Sequence, residues 1–251
     1  MKPRRSLGPL ACKPAPTAPF ASLLLALAAV SGMGCGPGGA SPIPQPPIMA
    51  VPIDSLSTVP PKVGPGGRPQ IPEIVGRAGS LPPGAQVSLM DLDTASPPTV
   101  VNGEADGSFV APLDFNAGDE LRLEVLRGDE RSIPTDLLVS DVFELSAPPR
   151  IDCLEIEPPL SLELAGAAPS AALSITNHCA IDITIDGGRL RSGSADFSLE
   201  TALPLVVAPG DTSPLQVAST TRSARAVDVL FVDITADGNA VRYPITLWTS
   251  P

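Results

Sequence analysis

The sequence predicts an all-β protein built as two tandem β-sandwiches. Three observations lead there. Downstream of Ile71 the apolar residues recur with a period of two, not 3.6. Turn signals such as Pro83-Gly84, Asp106-Gly107, Gly118-Asp119, Gly187-Gly188, Pro209-Gly210 and Asp237-Gly238 follow one another at short intervals. No amphipathic helix follows Cys35. Many short strands separated by turns roughly every 8–12 residues are the pattern of a sandwich or barrel.

Residues 1–34 read as an export signal. Lys2, Arg4, Arg5 and Lys13 supply a basic leader, and no acid occurs before Asp54. The apolar run Phe20–Val30 is too short for a membrane span, which needs about 20 residues. Gly32-Met33-Gly34-Cys35 resembles the lipobox of bacterial lipoproteins, although Gly32 stands where that family prefers Leu. The resemblance implies cleavage before Cys35 and lipidation of its thiol. It also implies an outer-membrane location, since Gly36 replaces the Asp that retains such proteins at the inner membrane. The alternative is ordinary cleavage, for example after Ala40, and a secreted soluble product.

Residues 35–70 are expected to be a disordered Pro/Gly-rich linker, because PIPQPP and VPPKVGPGG favour extended, semi-rigid chain. A first sandwich is expected over 71–147. Val87, Leu89 and Asp91 alternate with Ser88, Met90 and Leu92, and Leu121, Leu123 and Val125 alternate with Arg122, Glu124 and Leu126. Gly76–Gly79, Pro83–Val87, Ala105–Phe109 and Ala117–Leu121 resemble bacterial Ig-like or carboxypeptidase-regulatory-like modules. A second sandwich is expected over 148–251, behind the break at Ala147-Pro148-Pro149. Its clearest half-buried strand alternates Ile181, Ile183 and Ile185 with Asp182, Thr184 and Asp186. Leu154–Pro158, Leu173–Asn177, Ser194–Ser198, Val207–Asp211 and the closing strand Tyr243–Trp248 resemble an ASH module, the ASPM–SPD-2–Hydin family also called choice-of-anchor D. The first resemblance implies the Ig-like fold and says almost nothing of function; the second implies an Ig-like sandwich used as a spacer or interaction module.

Charge and composition narrow the function classes. Without residues 1–34, 12 basic residues face 27 acids, a net charge of −15. That excludes the basic footprint of nucleic-acid binding. Aromatic residues make up 3% of the chain, with one Trp (Trp248) and one Tyr (Tyr243), which argues against stacking platforms for sugars or bases. No G-x-S-x-G, P-loop, H-E-x-x-H or G-x-G-x-x-G occurs after Cys35.

Of the four cysteines, Cys12 leaves with the signal and Cys35 is the lipidation candidate. Cys153 and Cys179 then remain to pair as a disulfide in an oxidising compartment, toward a sheet edge because Cys153 shares parity with Glu155 and Glu157. His178, the only histidine, lies beside Cys179 but has no second histidine to work with. The carboxylate pairs Asp91/Asp93, Asp182/Asp186 and Asp233/Asp237 read as strand faces and turns. Asp233-x3-Asp237-Gly238-Asn239 lacks the remaining ligands of a calcium loop. The sequence therefore names no catalytic residue, metal site or cofactor. It is expected to be a non-catalytic structural, adhesion or protein-interaction module of the cell envelope, held to the membrane by lipid. Its expected partner is an envelope protein or polysaccharide. The alternative is a carbohydrate- or ligand-binding accessory domain of an envelope complex.

Overall fold

The computed structural model describes residues 47–250 apart from 65, 68, 69, 129, 166–169 and 221–225. Cys35 and the segment 1–34 expected to be an export signal lie outside the described residues. The described chain is all β. Strands β1 (Leu56–Val59), β2 (Glu73–Gly76), β3 (Gln86–Asp91), β4 (Thr99–Asn102), β5 (Phe109–Pro112), β6 (Glu120–Arg127), β7 (Glu130–Arg131), β8 (Thr135–Val139) and β9 (Leu145–Ser146) come first. They form a three-stranded sheet, β1-β2-β5, facing a larger sheet ordered β4-β3-β6-β8-β9, with β7 paired to β6. Leu89, Phe109, Leu123 and Leu137 fill the space between these two sheets.

The remaining strands are β10 (Leu154–Glu157), β11 (Ser161–Ala165), β12 (Ser170–Asn177), β13 (Ile183–Leu190), β14 (Phe197–Leu199), β15 (Leu205–Val207), β16 (Thr212–Ser219), β17 (Val227–Ala236) and β18 (Asn239–Ser250). They form sheets ordered β10-β12-β16-β14 and β11-β18-β17-β13-β15. Leu173, Ile185, Leu215 and Ile245 lie between them. The pairing is antiparallel except where β11 runs parallel to β18.

The expected linker over 35–70 needs correction for its described part. Val51 is 1% exposed and belongs to the first core. Residues Ile53–Ser55 form a 3-10 turn, and β1 pairs in register with β2. Prolines did not forbid this, because β1 is an edge strand and Pro60 and Pro61 fall just beyond it.

Two local expectations also change. Gly187 and Gly188 do not turn the chain; they lie inside β13, where the register with β17 shifts between Ile185 and Gly187. A Cβ on Gly188 would come within 2.5 Å of the Leu199 side chain, so this glycine marks a bulge with close packing. Ile181 lies ahead of β13 and is exposed, while Ile183 and Ile185 are buried. By contrast, Gly107 is a true turn glycine. Its φ is +80°, and an added Cβ would lie 2.4 Å from the Leu81 carbonyl oxygen.

Strand β3 departs from simple alternation: every residue from Val87 to Asp91 is buried. Strand β6 is buried on both faces from Leu121 to Val125. One face of each strand lines the first core. The other is covered by β17 and β18, so the four sheets stack as successive layers with a joint in the middle.

Candidate functional site

The joint is built by strand alternation. On β6, Leu121, Leu123 and Val125 point into the first core, leaving Arg122 and Glu124 on the opposite face. On β18, Tyr243, Ile245 and Leu247 enter the second core, which turns Pro244, Thr246 and Trp248 toward Arg122 and Glu124. Part of the contact is apolar: Met90 and Leu92 pack with Val229 and Phe231 of β17. The rest is ionic.

Arg122 is 1% exposed. Its Nε and one terminal nitrogen donate to the two carboxylate oxygens of Asp136, at 2.7 and 3.0 Å. The other terminal nitrogen donates to the Thr246 hydroxyl at 3.0 Å and to the Leu160 carbonyl at 3.2 Å. A further bond reaches the Pro244 carbonyl. All five guanidinium donors thus have acceptors, three of them from the second sandwich. Leu160 takes a left-handed conformation (φ 54°), a strained choice for a large side chain. Its carbonyl also accepts the Thr246 N–H at 2.9 Å.

Two more arginines close the network. Arg131 donates to Glu124 and lies 5.9 Å from the Trp248 ring centroid. The Thr246 hydroxyl donates to Glu124 as well. Arg150, on the segment between the sandwiches, donates to Glu120 and, at 3.0 Å, to Asp136. Its guanidinium stacks 5.5 Å from the Tyr243 ring centroid. Three arginines therefore meet three carboxylates, and the network is neutral. Burial pushes the Glu120 carboxyl above its usual range, and the hydrogen bond and charge of Arg150 oppose that rise. At the far side of the joint, Arg191 donates to the Asp91 and Ser96 carbonyls, and Arg242 donates to Asp93 at 3.3 Å. Asp91 is 2% exposed; one carboxylate oxygen accepts the Asp93 N–H at 2.8 Å and the other has no partner. Burial raises its pKa, and the charges of Asp119 and Asp93 add to the effect.

The residues singled out from sequence fall elsewhere. Cys153 and Cys179 are joined in a disulfide that ties the approach to edge strand β10 to the end of β12. The His178 N–H donates to the Cys153 carbonyl at 2.9 Å, and its Nε2 lies 2.8 Å from a Glu155 oxygen with the side chain 56% exposed. With Cys179 bonded, His178 has no thiol to activate. Asp233 faces Arg242 across the β17–β18 hairpin, and Asp237 sits in its turn at φ 49°. Among the described residues no group of three His, Cys, Asp or Glu side chains is placed to hold a metal ion. A groove of about 660 Å³ opens beside the disulfide, lined by Pro149, Ile151, Ile181 and Val241 among others and by no aromatic side chain.

The joint escaped the sequence reading because Arg122 and Glu124 have the alternation of an ordinary solvent-facing strand. The available signal was faint: Arg122, Arg131 and Arg150 against Glu120, Glu124 and Asp136, all within about 30 residues.

No protein-family model matches the chain, and no curated protein matches it. Solved structures match at low similarity. The chaperone–tip adhesion subunit pre-assembly complex of Csu pili from Acinetobacter baumannii matches at 12% identity over 38% of this chain and 55% of that one, with a TM-score of 0.31. The VesB protease of Vibrio cholerae matches at 15% identity over 68% and 64%, with a TM-score of 0.34. A Porphyromonas gingivalis W83 protein of unknown function matches at 13% identity over 78% and 100%, with a TM-score of 0.33. The chain thus spans less than two thirds of the first two. No helix among the described residues is long and apolar enough to cross a membrane.

Proposed function

We propose that this chain is an exported, non-catalytic module of the cell envelope, tethered through lipid on Cys35, and that it works as a stiff spacer or protein-interaction element. One observation carries the non-catalytic part. The densest cluster of buried charge among the described residues, at the joint, is used up internally: each of its three arginines is paired with carboxylates of the same chain. Reactive groups in a working site keep a position open toward a substrate; these are turned toward each other between two sheets. The resemblance to a lipobox supports the export part of the reading, and the resemblance to an ASH module supports the spacer part.

A carbohydrate-binding role has less support, since Trp248 is engaged by Arg131 and Tyr243 is buried under Arg150. The test is fractionation of native cells with Cys35→Ala beside the unaltered chain, followed by cross-linking of the tagged protein in its envelope. The reading expects membrane association that is lost in Cys35→Ala, and a discrete cross-linked envelope protein. Lipid labelling that persists in Cys35→Ala would overturn the anchor, and a turnover abolished by His178→Ala with the fold intact would overturn the non-catalytic role.

A further inference from the structure

Residues 149–154 form a strap between the sandwiches, held at a few discrete points. Its first fastening is Arg150, bonded to Glu120 and Asp136 of the first sandwich and stacked on Tyr243 of the second. The next is the Ile151 N–H, which donates to the Tyr243 hydroxyl at 2.6 Å. The last is Cys153, joined to Cys179 through sulfur and accepting the His178 N–H at its carbonyl at 2.9 Å. Ile151, Cys153 and Leu154 also rest, half-buried, against the second core. A groove of about 200 Å³ lined by Leu154, Pro159 and Tyr243 borders it on one side, and the groove of about 660 Å³ borders it on the other; Arg150 lines both. Cys153 is half-buried, whereas Cys179 is buried. Both line the larger groove. The disulfide therefore sits three residues from the arginine that bridges the joint, within reach of a reagent entering from solvent.

We propose that the Cys153–Cys179 disulfide is a clamp on this strap, and that thiol–disulfide exchange with a dithiol at the groove loosens the joint while both sandwich cores stay folded. The exchange balances simply. A thiolate of the dithiol attacks Sγ of Cys153, and Cys179 leaves as a thiolate. The second thiol of the dithiol then attacks the mixed disulfide and releases Cys153. The dithiol ends oxidised by two electrons, and its two protons end on Cys153 and Cys179. Freed at Cys153, the strap loses its one covalent fastening and is held by Arg150, the Ile151 contact, the His178 N–H bond to the Cys153 carbonyl and the start of β10. Cys179 belongs to the second core and Ile151 and Cys153 pack against it, but both cores are filled mainly by aliphatic and aromatic side chains between paired sheets, and these stay in place when the bond opens. The face exposed by loosening is compatible with water, since β6 and β8 present Arg122, Glu124 and Asp136 there and the apolar contact is confined to four side chains.

The experiment is hydrogen exchange by mass spectrometry on the full exported chain, with and without dithiothreitol under native conditions. Thiol alkylation without denaturant reports whether the bond has opened. The expected result is alkylation of both cysteines after reduction. Amide exchange should become at least tenfold faster over 150–154 and 243–246, and change by less than twofold over β3, β12 and β16. Arg150→Ala, with the disulfide intact, should reproduce the faster exchange over 243–246 and leave 176–179 unchanged. Three results would overturn the proposal: cysteines that resist native reduction, reduction without faster exchange at 243–246, or faster exchange spread evenly through both cores. The Cys153→Ser/Cys179→Ser variant serves as a reagent-free check; if it loses its far-UV β signal, the claim that the cores stand without the clamp is wrong.

Discussion

Replacing Arg122 with Met removes a guanidinium that is 1% exposed and makes five hydrogen bonds, while keeping an unbranched side chain of similar reach. The variant leaves three carboxylates, Glu124 and Asp136 buried and Glu120 partly so, facing two arginines. Breaking a buried ion pair by deleting one partner costs about 3–5 kcal/mol. Asp136 retains its bond from Arg150, and the Leu160 carbonyl retains the Thr246 N–H, so the lower end applies, about 3 kcal/mol. For a cooperative body of this size that corresponds to a fall in Tm of roughly 6–12 °C. Urea unfolding followed by far-UV circular dichroism, with calorimetry beside it, measures both. A companion variant, Arg122→Met with Asp136→Leu, should recover part of the loss, because a matched apolar pair leaves less uncompensated charge. A loss under about 1 kcal/mol for Arg122→Met, the scale of an exposed pair, would show that the guanidinium is solvated and that the joint is not closed.

Other expectations concern burial, backbone and pH. Asp91→Asn keeps an oxygen for the Asp93 N–H and removes a buried charge. Because burial holds the folded-state pKa of Asp91 above 3.8, the aspartate favours folding at low pH and loses that contribution as pH rises through its folded value. Asp91→Asn should therefore be more stable than the parent at pH 7, with the advantage shrinking toward pH 4 in paired urea titrations. Val51→Ala should cost about 2 kcal/mol in the same assay, whereas a residue in a disordered linker would cost nothing measurable. Gly107→Ala combines a left-handed backbone with a 2.4 Å approach to the Leu81 carbonyl and should cost more than about 1 kcal/mol.

The fold class was legible because strand alternation is a local property. Leu121, Leu123 and Val125 announce β6, and Ile183 and Ile185 announce β13, wherever the partner sheet lies. What alternation cannot carry is the environment of the other face. Arg122 and Glu124 read as solvent-facing until β18 brings Thr246 and Pro244 against them from more than a hundred residues away. The Gly187-Gly188 pair misled for a related reason: a glycine pair signals backbone freedom, and both turns and bulges use it. The Pro-rich stretch misled by composition. Val51, Ile53 and Leu56 were apolar enough to be drawn into the first core, and flanking prolines do not prevent an edge strand.

The internally neutral charge network at the joint should hold the two sandwiches as one stiff body. The most direct test is the distribution of distances between them. Spin labels attached through ketone-bearing residues at Val100 on β4 and Val206 on β15, both exposed, leave the native disulfide untouched, and pulsed dipolar spectroscopy reads their separation. A closed joint predicts one narrow distribution at pH 7, centred on the separation in the structure and broadened by Arg122→Met. A broad or multimodal distribution in the unaltered protein would show that the two sandwiches move independently.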